Sequence, residues 1–300
     1  MNHRSFNILG NIAVINFSDF AQNSRPNSRP QMPSASAKIS SQNHKTISFK
    51  EKKRFAEQLL KKYHTLKTIL EKSGKFSGRL RKMKTRHLAG EKNKEVLYRE
   101  NNCVFRFNVD ETYFSPRLSN ERKEIASMIK ENDKVLIMFA GVAPYSIVIA
   151  KNSRAKKIYS NEINKKANKY AEMNLELNKV KNKVELIPGD IKKAAEKIRK
   201  GKFIVNGNLI PSHFEVIVMP RPRLKDSLLK EAFLLSKKNT RIFYYDFCKV
   251  GEENKILEKI KKEARIFHKK IKILNIKKAG EIAPYKIRLR VDFEILWALY

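Results

Sequence analysis

The feature that most constrains this chain is an alternation that begins after Arg122, in which short runs of buried-type residues are each followed by a stretch with helical periodicity. Lys134–Ala140, Lys157–Asn161 and Val184–Ile187 are such runs, and amphipathic stretches follow them, the second after Asn164 and the third after Asp190. Strands joined through helices lie parallel, because a crossover that long returns the chain to the same end of the sheet. Val216–Met219 and Thr240–Phe247 continue the series, each followed by a helix. Lys272–Ala279 and Ile287–Ile295 are joined by a connection too short for a helix, so these two must pair antiparallel. The expected architecture is an α/β sheet with antiparallel terminal strands.

Ahead of it lies a different kind of chain. Phe6 to Phe17 is apolar but interrupted by Asn7, Asn11 and Asn16, and Gly10-Asn11 between two apolar stretches reads as a hairpin turn. No apolar run approaches the roughly 20 residues of a membrane span. Residues 1–22 are expected to form a hairpin of a small domain, and 23–45, rich in Ser, Asn and Pro, a disordered loop. Residues 46–112 are expected to complete that small α+β domain, and 113–300 to form the sheet domain. From Phe49 to Ser73, Phe55, Leu59, Leu60, Tyr63, Leu66, Ile69 and Leu70 recur at three- and four-residue spacings, predicting a helix with a basic outer face that stops at Gly74. Gly78 to Asp110 is basic with short alternating stretches, predicting a small antiparallel sheet.

Charge sets the partner. Lys and Arg number 65 against 30 Asp and Glu, a formal net charge of +35, far beyond what solubility needs. Such a field attracts a polyanion, so nucleic acid is the expected partner, and 46–112 is expected to be an RNA-binding domain. The two cysteines, Cys103 and Cys248, and the six histidines show no metal-ligand spacing, and a reducing, cytoplasmic setting without metal fits them.

In an open α/β sheet a ligand sits at the carboxyl ends of the strands, where the first strand turns into a helix. That turn is Phe139-Ala140-Gly141-Val142-Ala143-Pro144, in which Gly141 lets a ligand approach the backbone and Pro144 suits a first helical turn. Glu162 ends the second strand about 20 residues on, where a carboxylate takes both hydroxyls of a ribose. Asp190 closes the third strand and either meets an adenine amino group or caps the next helix. Phe139, Gly141, Val142, Glu162, Ile163, Asp190 and Ile191 form the candidate cofactor set.

Tyr113-Phe114-Ser115-Pro116-Arg117-Leu118-Ser119-Asn120-Glu121-Arg122 and the Phe139–Tyr145 loop closely resemble the archaeal and eukaryotic tRNA guanine-37 N1-methyltransferase family, which includes wyosine-modifying relatives. His87–Glu91, Tyr98–Cys103 and Asn7–Val14 are also similar to it. The resemblance implies a class I, Rossmann-like methyltransferase domain that uses S-adenosylmethionine, preceded by a smaller domain that helps to hold tRNA. Many relatives carry a further N-terminal domain, which this chain is expected to lack. A monomer is expected, with no membrane association.

Guanine N1 carries a proton, so methyl transfer needs a base for that proton and a cation for the charge that develops on O6. The resemblance assigns Glu121 as base and Arg81 as the O6 partner, with Arg79 the alternative, while Tyr113, Arg117 and Arg122 shape the pocket. On spacing alone, Glu121 and Arg117 could equally be an ordinary surface pair. Where the family has an Asp in the first strand, a second loop glycine and Asn-Leu-Pro after the fourth strand, this chain has Ile137, Ala143 and Met219-Pro220-Arg221-Pro222. Pro220 and Pro222 would then brace a flipped base, and Arg221 would meet a phosphate or O6. Two other readings stay open: a wyosine-pathway methyl or aminocarboxypropyl transfer, and a catalytically silent RNA-binding homologue. The aromatic run Phe243–Phe247 is expected in the core, and Tyr285 is expected as an exposed contact.

Overall fold

The computed structural model describes residues 6–17, 47–74 and 78–298. The loop expected at 23–45 lies outside them. The chain divides into two compact units, Met1–Phe76 with Met83–Val96, and Ser77–Lys82 with Leu97–Tyr300.

In the first unit, β1 (Phe6–Leu9) and β2 (Ile12–Ile15) form the expected hairpin, turning at Gly10. Helix α1 (Phe49–Lys62) starts on a capping box in which the Ser48 hydroxyl accepts from the Glu51 amide and the Glu51 carboxylate accepts from the Ser48 amide. The helix expected to reach Ser73 stops at Lys62, and Thr68–Lys72 is instead a strand, β3, parallel to β2. Leu66, Ile69 and Leu70 fit a helical spacing, but β-branched Thr68 and Ile69 suit an extended backbone. Thr68, Ile69, Leu70 and Glu71 are all buried, which a strand covered on both faces achieves. β4 (Thr85–Gly90) pairs antiparallel to β3, giving the order β1-β2-β3-β4. Gly90 is at φ +81°, and a Cβ there would lie 2.1 Å from the Lys67 carbonyl oxygen. No other residue fits that contact.

In the second unit, β5 (Glu95–Glu100) and β6 (Cys103–Asn108) form a hairpin through Asn101 and Asn102, both at positive φ, as a two-residue primed turn requires. This hairpin, expected in the small domain, belongs with the larger unit, because two asparagines act as a substitute strand for β6. Asn178 accepts from the Val104 amide (2.8 Å) and Asn174 from the Arg106 amide (2.7 Å), and each donates back to the carbonyl of the same residue. Helix α2 (Ser119–Ser127) follows a 3-10 turn at Pro116–Leu118.

Next come β7 (Lys134–Met138), α3 (Pro144–Asn152), β8 (Lys157–Glu162), α4 (Lys165–Leu177), β9 (Val184–Pro188) and α5 (Ile191–Arg199). A small hairpin not expected from the sequence, β10 (Ile204–Val205) and β11 (Asn208–Leu209), precedes β12 (Phe214–Met219). The unit ends with α6 (Leu229–Leu234), β13 (Ser236–Lys249), α7 (Glu253–Ile266), β14 (Lys269–Ala283) and β15 (Lys286–Ala298). The sheet order is β14-β15-β13-β12-β7-β8-β9, parallel from β13 to β9, with β15 antiparallel to both its neighbours. The order therefore reverses at β7, which has β8 on one side and β12 on the other, and a ligand crevice is expected at the carboxyl end of that strand. No helix among the described residues is long and apolar enough to cross a membrane.

Candidate active site

The crevice begins where β7 ends. Phe139 (φ +60°), Gly141 (φ +59°) and Ala143 (φ +65°) all adopt the left-handed conformation, so the chain coils tightly before Pro144 opens α3. A Cβ on Gly141 would sit 3.3 Å from the Tyr113 carbonyl oxygen, so the loop is also pressed against the Tyr113 motif. Ala143 occupies a left-handed conformation that favours glycine. The Val142 and Ile191 side chains are buried, so their backbones are what they can offer a ligand, whereas Phe139 and Ile163 are half-buried.

Glu162 faces this loop. Its carboxylate accepts from the Gly141 amide and from the Asn164 amide, both at 2.7 Å. Burial pushes its pKa up, against the lowering effect of donation from Asn164, Gly141 and Ile163. Asn164 caps α4 with its own side chain, so Glu162 is not needed as the cap. Of the two roles expected of Asp190 the structure shows the cap: it caps α5 by accepting from the Lys192 amide, while its other oxygen accepts from Arg79 Nη2 at 2.8 Å. A carboxylate beside a glycine that admits close approach fits the adenosine part of S-adenosylmethionine. Among the described residues no cluster of His, Cys, Asp and Glu could hold a metal ion.

The Tyr113–Arg122 motif is anchored by Phe114, stacked on Phe107 at 4.7 Å between ring centroids. Arg122, expected at the substrate, is 1% exposed; it forks onto Glu100 and donates to the Ser115 carbonyl at 3.0 Å. It therefore holds the motif's shape from beneath and has no open face for a base. Arg117 is exposed and Tyr113 half-buried, with the Arg81 guanidinium over the Tyr113 ring at 5.3 Å. Burial lowers the Arg81 pKa, and the nearby positive charges of Arg223 and Arg288 lower it further, against the opposing effect of Tyr113.

Glu121 is buried rather than paired on the surface. Tyr245 Oη donates to its Oε2 at 3.0 Å and Arg290 Nη1 to the same oxygen at 2.8 Å, while Lys277 Nζ lies 3.2 Å from Oε1. Arg290 also binds Glu124 at 2.8 Å and Asp292 at 2.8 Å. Burial works against the Arg290 charge, but Glu124, Tyr245 and Asp292 outweigh it and raise its pKa. Burial likewise pushes Glu124 up, yet Lys277 and Arg290 hold it below its ordinary value. The result is a carboxylate fixed inside the protein, with Oε2 committed to two donors and Oε1 facing the half-exposed Lys277 ammonium. Of the run Phe243–Phe247, Phe243, Tyr244 and Tyr245 are core as expected, whereas Phe247 is half-buried, and Tyr245 adds a hydroxyl directed at Glu121.

The Met219–Pro222 loop departs most from expectation. Pro220 and Pro222 are half-buried on the rim, but Arg221 turns inward and is 2% exposed. It pairs with Asp246 and donates to the carbonyls of Leu224 (2.8 Å) and Asp226 (2.7 Å). Asp246 is bound in addition by Lys259 (2.8 Å) and Tyr244 Oη (2.9 Å). Arg221 is thus a brace for the loop and not a cation for O6 or phosphate. Arg290 and Lys277 went unread in the sequence, and Tyr245 was read only as core; for Arg290 the signal available was charged residues alternating with apolar ones in Arg288-Leu289-Arg290-Val291-Asp292. Tyr285 stands 83% exposed in the β14–β15 turn, as expected.

A sheet of this order, with a glycine loop on its central strand and an acid at the end of the next, defines a class I, Rossmann-like methyltransferase fold. Residues 96–274 match the TRM5/TYW2 methyltransferase domain, and the chain belongs to that family. It is 33% identical over 285 residues to tRNA (guanine(37)-N(1))/4-demethylwyosine(37)-methyltransferase Taw22 of Nanoarchaeum equitans, covering 81% of this chain and 93% of that one. It is 30% identical over 244 residues to tRNA (guanine(37)-N(1))-methyltransferase Trm5b of Pyrococcus abyssi, covering 81% of this chain and 68% of that one. The crystal structure of Trm5b from Pyrococcus abyssi superposes with a TM-score of 0.73 at 28% identity, over 98% of this chain and 75% of that one.

Proposed function

We propose that this protein is an S-adenosylmethionine-dependent tRNA methyltransferase that acts on N1 of guanosine 37, with Glu121 as the base. The observation that carries the reading is the burial of Glu121, which a surface ion pair does not need, in a chain whose relatives bear that activity in their names. The cofactor, held by the Phe139–Val142 backbone, Glu162 and Asp190, supplies a methyl group on a positively charged sulfur. The protein's own work is on the guanine. Oε1 of Glu121 accepts the N1 proton once Lys277 swings aside, while Oε2 stays fixed by Tyr245 and Arg290. Arg81, held over the Tyr113 ring, meets the charge that develops on O6. Pro220 and Pro222 form a rigid rim for an extruded base.

The excess of positive charge supports tRNA as the polymer, and two unpaired cysteines, Cys103 and Cys248, suit a reducing cytoplasm. We take the active species to be a monomer. One specific observation favours a second substrate: the Taw22 relative names 4-demethylwyosine 37 beside guanine 37. Both readings are tested by incubating the protein with labelled S-adenosylmethionine and two tRNAs, one with guanosine and one with 4-demethylwyosine at position 37, then identifying nucleosides by mass spectrometry. N1-methylguanosine at position 37 is the expected product. Methylation of the second tRNA alone moves the assignment to wyosine synthesis, transfer of the larger aminocarboxypropyl arm removes the methyltransferase reading, and no transfer leaves a silent RNA-binding protein.

A further inference from the structure

At the carboxyl end of β13, Phe247 is registered directly opposite Arg288 of β15, as Tyr245 is opposite Arg290. Alternate residues share a face, so Phe247 and Arg288 stand one step beyond the pair that clamps Glu121, roughly 7 Å along the strand. The Arg288 guanidinium lies over the Phe247 ring, 5.3 Å from its centroid. Arg223, from the loop after Pro222, lies over the same ring at 5.2 Å. One aromatic ring therefore carries two guanidiniums from separate segments, and Arg81 is within electrostatic reach of both.

These two arginines differ from the buried ones. Arg122, Arg221 and Arg290 each pair with a carboxylate, whereas neither Arg223 nor Arg288 forms an ion pair among the described residues. Like charges gathered on one ring repel each other, and among the described residues no carboxylate pairs with them, so an anion from outside relieves the repulsion. The flat ring also fixes the guanidinium planes, which prepares them for forked hydrogen bonds to an oxyanion. Two such donors, with no acceptor between them, suit a phosphate better than a base edge.

We propose that Arg223 and Arg288, braced on Phe247, clamp one phosphodiester adjacent to the nucleotide whose base reaches Glu121; this rests on the reading of that site as the guanine site. Extruding a base rotates its backbone out of the stack, and a clamp one step from the base-binding carboxylate holds the rotated phosphate. The clamp explains why Pro222 precedes Arg223: a rigid rim residue sets the angle at which Arg223 leaves the loop.

The test uses the full chain and tRNA transcripts carrying a neutral methylphosphonate at the phosphate on either side of position 37. Binding is measured with S-adenosylhomocysteine present, for the wild type, Arg223→Ala, Arg288→Ala and the double variant. In the wild type one of the two neutral linkages should weaken binding about tenfold or more, the usual effect of losing a charged hydrogen bond. The double variant should show a similar loss on ordinary tRNA and no further loss from that linkage. The slope of log affinity against log salt should fall by about 1 in the double variant, because a single phosphate loses its neutralising charge. Arg288→Lys should keep the slope while losing most of the affinity, since a lysine keeps the charge but not the fork. Equal losses from the neutral linkage in wild type and double variant overturn the clamp, as does a loss of S-adenosylhomocysteine affinity, which would assign the arginines to the cofactor's carboxylate. If the wild type transfers no methyl group to tRNA, the underlying reading fails; if it transfers normally and the losses add, the clamp alone fails. The wild-type comparison of linkages needs no variant, so misfolding of a variant does not leave the clamp undecided.

Discussion

Replacing Arg221 separates a structural brace from a substrate contact. Its side chain is 1% exposed and that of Asp246 7%, so solvent screens their attraction little. Removing one partner of a buried pair leaves the other charge unmatched, at a cost of about 3–5 kcal/mol. Here the lower end applies, because Asp246 keeps Lys259 at 2.8 Å and Tyr244 Oη at 2.9 Å. The carbonyls of Leu224 and Asp226 also lose their donor, which adds a smaller amount. Arg221→Met should therefore lower the unfolding free energy by about 3 kcal/mol, a large share of the 5–15 kcal/mol typical of a domain. Burial raises the Asp246 pKa, but Arg221 and Lys259 outweigh it and hold the carboxyl below its ordinary value. Its stabilising contribution is thus present above the ordinary carboxylate pKa and is lost as pH falls through the lower, folded value. In Arg221→Met that loss on acidification should shrink. Urea unfolding at several pH values measures both effects, with tRNA affinity in parallel. A variant as stable as the wild type but weakened in tRNA binding refutes the brace and restores Arg221 to the substrate.

Further outcomes follow from the same geometry. Gly141→Ala places a Cβ at φ +59° and 3.3 Å from the Tyr113 carbonyl, a strain of about 1–2 kcal/mol, so S-adenosylmethionine affinity measured by calorimetry should fall about tenfold; unchanged affinity would remove the close-approach role. Because burial raises the Glu162 pKa, its contribution to folding is present below the ordinary carboxylate range and lost as pH rises through the folded value. Cofactor affinity should run the other way, falling on acidification from about pH 7 towards 4 as the ribose-binding carboxylate is protonated, and a flat profile would refute it. Arg290→Lys cannot reach Glu121, Glu124 and Asp292 together, so single-turnover methyl transfer should slow at least tenfold with little change in tRNA affinity, whereas a change confined to tRNA affinity would make Arg290 a binding residue.

The sheet was legible because central parallel strands are buried on both faces, and so appear as short apolar runs such as Val135–Met138 and Val216–Met219. The positions of Gly141 and Glu162 were legible for a similar reason, since both sit at strand ends whose order follows from chain direction alone. Helix α1 was overrun because Leu66, Ile69 and Leu70 satisfy a helical spacing while serving β3. Arg221 was misread because its counterion, Asp246, is 25 residues away and arrives through the parallel register of Met219 with Tyr244. The clamp on Glu121 was hidden by the same kind of distance: Arg290 lies 169 residues on, and its approach depends on the antiparallel register of Tyr245 with Arg290. Local pattern locates strands; partners across the sheet need register.

The central claim is that buried Glu121 takes the guanine N1 proton, and single-turnover methyl transfer to a guanosine-37 transcript by Glu121→Gln tests it most directly. Gln keeps the size and can still accept from Tyr245 but cannot take up a proton, so the rate should fall by a factor of about 10²–10⁴ while cofactor and tRNA affinities stay near wild type. A variant that transfers methyl groups within a few-fold of the wild-type rate would contradict the account.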